Sequence, residues 1–507
     1  MNIFGKVTQV CLALVMAALP AANAYADREG DPLDASTLDK IETYVKEQFV
    51  IAGIPGGSYA IVDRGNIVRS AGIGYADLET RREATPETVY ATASVTKPFT
   101  AAAVLRLAEQ RVVDLDAPVV SYLPWFRYED RSASSRVTVR HLLTHSAGVS
   151  RYSADGAIYQ DVENNRNSME GAARALRTVK MNAAPGARGQ YCNTCFNVLG
   201  LIVEEVTGKP YEEYMRESLF EPLGMDDASF RPSEAANADV AKEYGYMFGF
   251  ATEVTPYWKE FGSSQAPEGG AYGSATDLAR FAAAALGYGA DPFFASGTLD
   301  AYHNAGVPAS DLLNAVYTES GFEASELHGT RVLAKSGDGM GSSSEIILIP
   351  RMGAGLVLFV GEADGEACGR IAKGIASLML GRPPASVDGM PNALQVVGQV
   401  SLGILILSGI LAIWLVGSVI RHRRRGYAAR RRWAVALRAA IYAIFSVPVW
   451  YLLLAFRPTE AGFYGYPYDF AIAMIAIVVP LTLWAAYSAA LLAFGRQEHL
   501  VKEAERQ

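Results

Sequence analysis

Residues 393–420, "ALQVVGQVSLGILILSGILAIWLVGSVI", run for 28 positions without a charged side chain. A helix of that length exceeds the roughly 30 Å hydrocarbon core of a bilayer, so the run separates a long N-terminal part from a membrane-directed C-terminal part. Residues 439–456 and 470–494 are two further apolar stretches, which predicts three transmembrane helices within 393–494. Between the first two lies "RHRRRGYAARRRW", with arginines at 421, 423, 424, 425, 430, 431 and 432. By the positive-inside rule that loop is cytoplasmic, which places everything before residue 393 outside and the tail 495–507 inside.

The other end points the same way. "MNIFGKVTQVCLALVMAALPAANAYA" has Lys6, an apolar run from Val10 to Leu19, and small residues Ala24 and Ala26, the pattern of a cleaved signal over 1–26. The apolar run is short for an uncleaved anchor. The segment 381–392, "GRPPASVDGMPN", is a linker by its Pro and Gly content, leaving 27–380 as the exported domain. The formal charge is -8 over 507 residues, and removing the arginine cluster makes the exported part more acidic still, which argues against nucleic acid as a partner. Apart from Cys11 in the signal, the cysteines are Cys192, Cys195 and Cys368, too few for a disulfide scaffold.

Within the exported domain, "GGSYAIVDRGNIVRSAGIGYAD" alternates apolar and polar residues around Asp63, Arg64 and Gly65, predicting a hairpin. Three strand-like runs punctuated by glycines and Pro350 follow from Thr330, then a helix near 366–380. Apolar residues recur at helical spacing over 97–111, 137–145, 193–207, 211–219 and 275–286. The architecture this implies is α+β: an antiparallel sheet made from both ends of the domain, flanked by helices, with a helical subdomain inserted between them.

Three short motifs carry chemistry. In "ATASVTKPFTAAAVLRLAEQ", Ser94 and Lys97 lie three apart at the mouth of a helix and so share a face, with Pro98 in the first turn where its missing N–H costs little. The helix N-terminus adds positive potential where an oxyanion would form. In "GQYCNTCFNVLG", Tyr191 and Asn193 flank Cys192; a tyrosine beside a lysine can act as a base, and the Asn amide can both donate and accept. In "AKSGDG", Lys335 and Ser336 can hold a substrate carboxylate, and Gly337 lets a substrate backbone approach. The Asp338 N–H can complete an oxyanion hole with that of Ser94. Singly, each motif also fits a capping serine, a packed tyrosine or an edge-strand lysine.

Their order and spacing resemble the S-x-x-K, S/Y-x-N, K-S/T-G set of the serine beta-lactamase and penicillin-binding-protein-like family. Segments such as "VVDLDAPVVSYLPWF", "VTVRHLLTHSAGVS" and "EGGAYGSATDLARF" are similar to family segments in the same order, over about residues 40–370. The resemblance implies Ser94 as acylated nucleophile, Lys97 as its activating partner and Tyr191 as general base and acid. It implies Asn193, Lys335, Ser336 and Gly337 as substrate-binding residues, with the N–H groups of Ser94 and Asp338 as oxyanion hole. The tyrosine of the second motif favours the class C-like branch. Many class C-like relatives carry His where this chain has Lys335, and a lysine there favours anionic substrates unless Asp338 neutralises it.

An exported hydrolase followed by three spans resembles the prodrug-activating peptidases of nonribosomal peptide pathways. The expectation is therefore a serine peptidase anchored in a bacterial inner membrane, its catalytic domain in the periplasm, cleaving an amide next to a D-amino acid in a prodrug cap or cell-wall peptide. A beta-lactamase or esterase with the same residues is the near alternative, and a sensor acylated once by a beta-lactam is the alternative of another class. Small-molecule or peptide substrates and the membrane are the expected partners; no cofactor is indicated. His141 and His145 lack an H-E-x-x-H context or a third ligand, so a packing role is expected of them, with no metal. Cys192 and Cys195 have neither the βαβ context of a redox pair nor a second ligand pair for zinc; their spacing allows a disulfide in the first turn of a helix.

Overall fold

The computed structural model describes residues 33–150, 154, 169–231, 239–254, 262–289, 293–339, 341–387, 392–425, 440, 442 and 472–488. The chain divides into two compact units, Met1–Tyr244 with Glu253–Met390, and Gly245–Thr252 with Pro391–Gln507.

The first unit is built on a nine-stranded antiparallel sheet. Its strands are β1 (Gly56–Asp63), β2 (Asn66–Asp77), β3 (Arg82–Glu83), β4 (Gly306–Pro308), β5 (Val316–Thr318), β6 (Glu323–Leu327), β7 (Thr330–Asp338), β8 (Ser343–Ile349) and β9 (Ala354–Val360). Their order across the sheet is β3-β2-β1-β9-β8-β7-β6-β5-β4, so the two ends of the domain meet where β1 pairs with β9. The expected hairpin closes through Arg64 and Gly65, both at positive φ (48° and 82°), the geometry a two-residue turn needs to match strand twist.

Strands β1, β8 and β9 are buried on both faces, and the alternation of their side chains feeds two cores. Tyr59, Ile61, Ile347, Ile349, Leu356 and Leu358 meet the helices α1 (Ala35–Ala52) and α5 (Gly365–Met379). Ala60, Val62, Ile346, Leu348, Val357 and Phe359 face the helical layer. That layer holds α2 (Thr96–Glu109), α3 (Asn193–Thr207) and α4 (Ala275–Ala285), each within two residues of its sequence-predicted bounds. Asp34 caps α1 by accepting the Thr37 N–H, and Gly53 ends it at a φ of 73°. A Cβ at Gly374 of α5 would collide with the Tyr44 hydroxyl of α1, so glycine there is what lets the two helices pack.

The fold is thus the expected mix of antiparallel sheet and helices. Helix α1 and the short strands β4 to β6 are additions to the elements the sequence pattern predicts. In the second unit, α6 (Ala393–Arg425) contains the one helical stretch among the described residues long and apolar enough to cross a membrane, Gln395–Ser418; Ile472–Ser488 is a shorter apolar helix. The span predicted over 439–456, the signal over 1–26 and the tail lie outside the described residues, apart from 440 and 442.

Candidate active site

Ser94 lies at a sharp change of direction. The short strand Tyr90–Ala91 leads to Thr92, Ala93 turns the chain at a φ of 45°, and a 3-10 turn over Ala93–Val95 enters α2. Positive φ is costly for alanine, so neighbouring bonds must hold it. The Thr92 N–H and hydroxyl both donate to the Ala271 carbonyl (2.9 and 2.8 Å), and the Thr92 carbonyl accepts the Ser344 hydroxyl (2.7 Å). From Ala91 to Thr100, Ser94 alone keeps partial exposure.

Two groups converge on the Ser94 Oγ. Lys97 Nζ, fully buried, donates to it at 3.1 Å and to the Glu268 carbonyl at 2.7 Å. The Tyr191 hydroxyl donates to it at 2.8 Å. Burial alone would raise the Tyr191 phenol, but the nearby Lys335 and Lys97 charges outweigh burial and bring it below its ordinary value of 10. Their ammonium nitrogens lie 4.6 and 5.0 Å from its ring centroid. Asn193, also buried, opens α3 two residues on.

The third motif lies on β7, beyond the end of β6, whose pairing stops at Glu323 opposite Ala334. Gly339 N–H donates to the Ser342 carbonyl, and bonded pairs alternate along an antiparallel ladder. Lys335 and Gly337 therefore bond toward β8, while Ser336 and Asp338 turn their N–H groups to the free edge of the strand. That orientation suits the Asp338 N–H for the predicted oxyanion site.

Side-chain directions depart from expectation at three positions. Gly337 turns its bare side to the Ser94 turn: a Cβ there would strike the Thr92 carbonyl and the Ser344 hydroxyl, so its bareness lets β7 press against that turn. Ser336 does not stand beside Lys335, because strand alternation sends it to the opposite face, where it bonds the buried Glu345. Asp338 does not neutralise Lys335; its carboxylate lies over Gly365 at the N-terminus of α5, the positive end of that helix. The counter-charge is Glu323, whose Oε1 lies 2.6 Å from Lys335 Nζ. Burial would lower the Lys335 ammonium, but Glu323 and then Tyr191 raise it above its ordinary value.

A second layer backs the tyrosine. The His145 ring stacks on Tyr191 at 4.7 Å, and its Nδ1 accepts the Cys192 N–H at 3.0 Å. Burial first, then the Lys335 and Lys97 charges, hold this imidazole well below its ordinary value, so it is a neutral support. Asp311 accepts the Tyr191 N–H (2.7 Å) and the Tyr317 hydroxyl (2.9 Å), and the Tyr317 ring packs on His145 at 4.7 Å. His141 closes a helix-capping box with Thr138. Cys192 and Cys195 are joined in a buried disulfide in the first turn of α3, their Cα atoms 5.4 Å apart. Glu323, Asp311, Tyr317 and Glu345 carry no motif, and only strand register and packing bring them here.

A serine at a strained turn before a helix, flanked by a buried lysine and a tyrosine and facing a free strand edge, is the layout of a serine hydrolase. The chain belongs to the beta-lactamase family, whose model, described as Beta-lactamase, matches residues 40–373. Protein flp of Staphylococcus aureus (strain MRSA252) is 29% identical over 222 residues, 44% of this chain and 44% of that protein. Penicillin-binding protein 4 of Amycolatopsis lactamdurans is 29% identical over 239 residues, 47% of this chain and 61% of that one. The chain thus spans less than two thirds of the length of these relatives. The octameric penicillin-binding protein homologue from Pyrococcus abyssi superposes with a TM-score of 0.60 at 28% identity, over 68% of this chain and 78% of that one.

Proposed function

We propose that this chain is a membrane-anchored periplasmic peptidase that cleaves an amide next to a D-amino acid through an acyl-enzyme on Ser94. The observation that carries the reading is the convergence of Tyr191 Oη and Lys97 Nζ on one partly exposed serine oxygen. Tyr191, as phenolate, takes the Ser94 proton as Oγ bonds to the substrate carbonyl carbon. The carbonyl oxygen becomes an oxyanion held by the Ser94 and Asp338 N–H groups. As the tetrahedral intermediate collapses, the C–N bond breaks and Tyr191 returns the proton to the leaving amine. Water then repeats the sequence on the acyl-enzyme and releases the acid. Lys97 holds the Ser94 oxygen and, with Lys335, stabilises the phenolate.

Support for an amide comes from the relatives named for binding penicillin, itself a cyclic amide. Support for the membrane comes from the 24-residue apolar helix Gln395–Ser418 and the signal-like N-terminus. An esterase is the second reading, favoured by the Lys335–Glu323 pair, which leaves Lys335 no uncompensated charge for a substrate carboxylate. The test is hydrolysis of N-acyl-D-amino amides, D-Ala-D-Ala peptides, nitrocefin and p-nitrophenyl esters by wild type and Ser94→Ala. Amide turnover lost in Ser94→Ala is expected; full activity in that variant on every accepted substrate refutes the mechanism, and turnover of esters alone selects the second reading.

A further inference from the structure

The charge balance around Lys335 says which end of a substrate this site accepts. Under the proposed mechanism Tyr191 hands its proton to the leaving group, so the leaving side of the substrate lies against that phenol. Lys335 Nζ is 4.6 Å from the same ring, which makes it the cation nearest the departing end on the β7 side. Its side chain is 4% exposed, and the Glu323 carboxylate 2.6 Å away is the more exposed partner at 16%. A substrate carboxylate arriving here meets an ion pair rather than a cation, and must displace or face the Glu323 charge at short range. A neutral amide or ester carries no such penalty, since Lys335 can still donate a hydrogen bond while paired. Strand pairing brings the two within reach: Glu323 lies at the end of β6, opposite Ala334, the neighbour of Lys335.

We infer that Glu323 is a specificity-determining residue that directs the site to acyl donors uncharged at the leaving end, internal amides or esters, and against those ending in a free carboxylate. The inference rests on the proposed Ser94 acyl-enzyme. It narrows the substrate class to caps and internal linkages and away from carboxypeptidase substrates.

The experiment compares an N-acyl-D-alanyl-D-alanine with its C-terminal amide, using the full chain in detergent and four proteins: wild type, Glu323→Gln, Glu323→Asp and Ser94→Ala. Wild type should prefer the amide. In Glu323→Gln the acid-to-amide ratio of kcat/KM should rise about 10- to 100-fold, the range for one charge-assisted hydrogen bond gained, chiefly through KM for the acid. Glu323→Asp, which keeps the charge, should restore the wild-type ratio, as a merely structural role would not require. Wild type that takes the acid as well as the amide, takes neither, or shows an unchanged ratio in Glu323→Gln overturns the inference. Turnover surviving in Ser94→Ala instead identifies the acyl-enzyme reading as the part that failed. A Glu323→Gln protein that does not fold leaves the wild-type preference and the Glu323→Asp ratio to decide.

Discussion

Gly337→Ala probes the link between strand β7 and the nucleophile. A Cβ at this position falls closer than 3.0 Å to the Thr92 carbonyl and the Ser344 hydroxyl, and 3.3 Å from the Ala93 Cβ, where ordinary contact begins at 3.4 Å. Relief requires a displacement on the order of 1 Å between β7 and the Ser94 turn. The Ser344 hydroxyl can rotate, but only by giving up its bond to the Thr92 carbonyl. Thr92 is itself tied to Ala271, so the turn moves with Ala93 and Ser94 as a unit. Moving Ser94 by that much stretches its 2.8 Å bond to Tyr191 beyond hydrogen-bonding range. A misplacement of about 1 Å costs roughly 10²-fold in rate, and overpacking costs about 1–3 kcal/mol, a few degrees in Tm for a domain of this size. The assay is kcat/KM on the best substrate of the panel, with Tm by calorimetry. Gly374→Ala is the control, because it overpacks Tyr44 in the other core, away from Ser94, and should lose similar stability while keeping kcat. Gly337→Ala within threefold of wild-type activity would refute the idea that β7 sets the position of Ser94.

Other consequences follow from the charges and the disulfide. If the proposed mechanism holds and Tyr191 serves as phenolate, kcat/KM should climb as pH rises through its folded value, which lies below 10 because of Lys335 and Lys97. A Lys335→Met/Glu323→Gln pair, which removes the larger lowering influence together with the smaller raising one, should move that limb to higher pH; an unmoved limb contradicts the electrostatic account. Glu345, buried between β8 and α5, is pushed by burial to about 8 from an ordinary 4.5. Its folded value is raised, so its stabilising contribution is fully present below 4.5 and is lost as pH rises to about 8. Denaturant titrations at pH 6 and 9 should show a loss in wild type that Glu345→Gln largely abolishes. The Cys192→Ser/Cys195→Ser variant opens a very short loop, worth about 2 kcal/mol by chain entropy, so reductant should lower Tm in wild type and leave the variant unchanged.

What could be read in the sequence was what is local in the chain. Ser94 sits in the 3-10 turn that runs directly into α2, so its three-residue spacing from Lys97 already determines that both can reach one point. The Arg64–Gly65 hairpin and strands β7 to β9 announced themselves through turn residues and apolar runs. Helix α1 carries signals at its ends, Asp34 and Gly53, but strands β4 and β5 are too short, and β6 too polar, to show a period. In the site, the residue types of the third motif were legible but their directions were not. A one-residue step along a strand exchanges faces, so whether Ser336 or Lys335 meets the serine depends on a register that only pairing with β8 fixes. Glu323 is twelve residues from Lys335 and meets it only because β6 and β7 are neighbours.

Counting the charges next to Tyr191 then explains how one lysine can serve the base without serving an anionic substrate. Lys97, Lys335 and Glu323 sum to one formal positive charge, and the two lysines outweigh burial and Glu323 in lowering the Tyr191 phenol below its ordinary value. At longer range, however, Lys335 and Glu323 are a dipole whose field falls off faster than that of a lone cation. Tyr191 lies against Lys335 at van der Waals range and feels the nearer end of that dipole, whereas an approaching carboxylate meets Glu323 as well. Placing the carboxylate on β6 rather than on β7 thus separates two tasks that the K-S-G motif alone would leave to a single residue: acid–base tuning stays with the lysine, and discrimination among leaving groups passes to the glutamate.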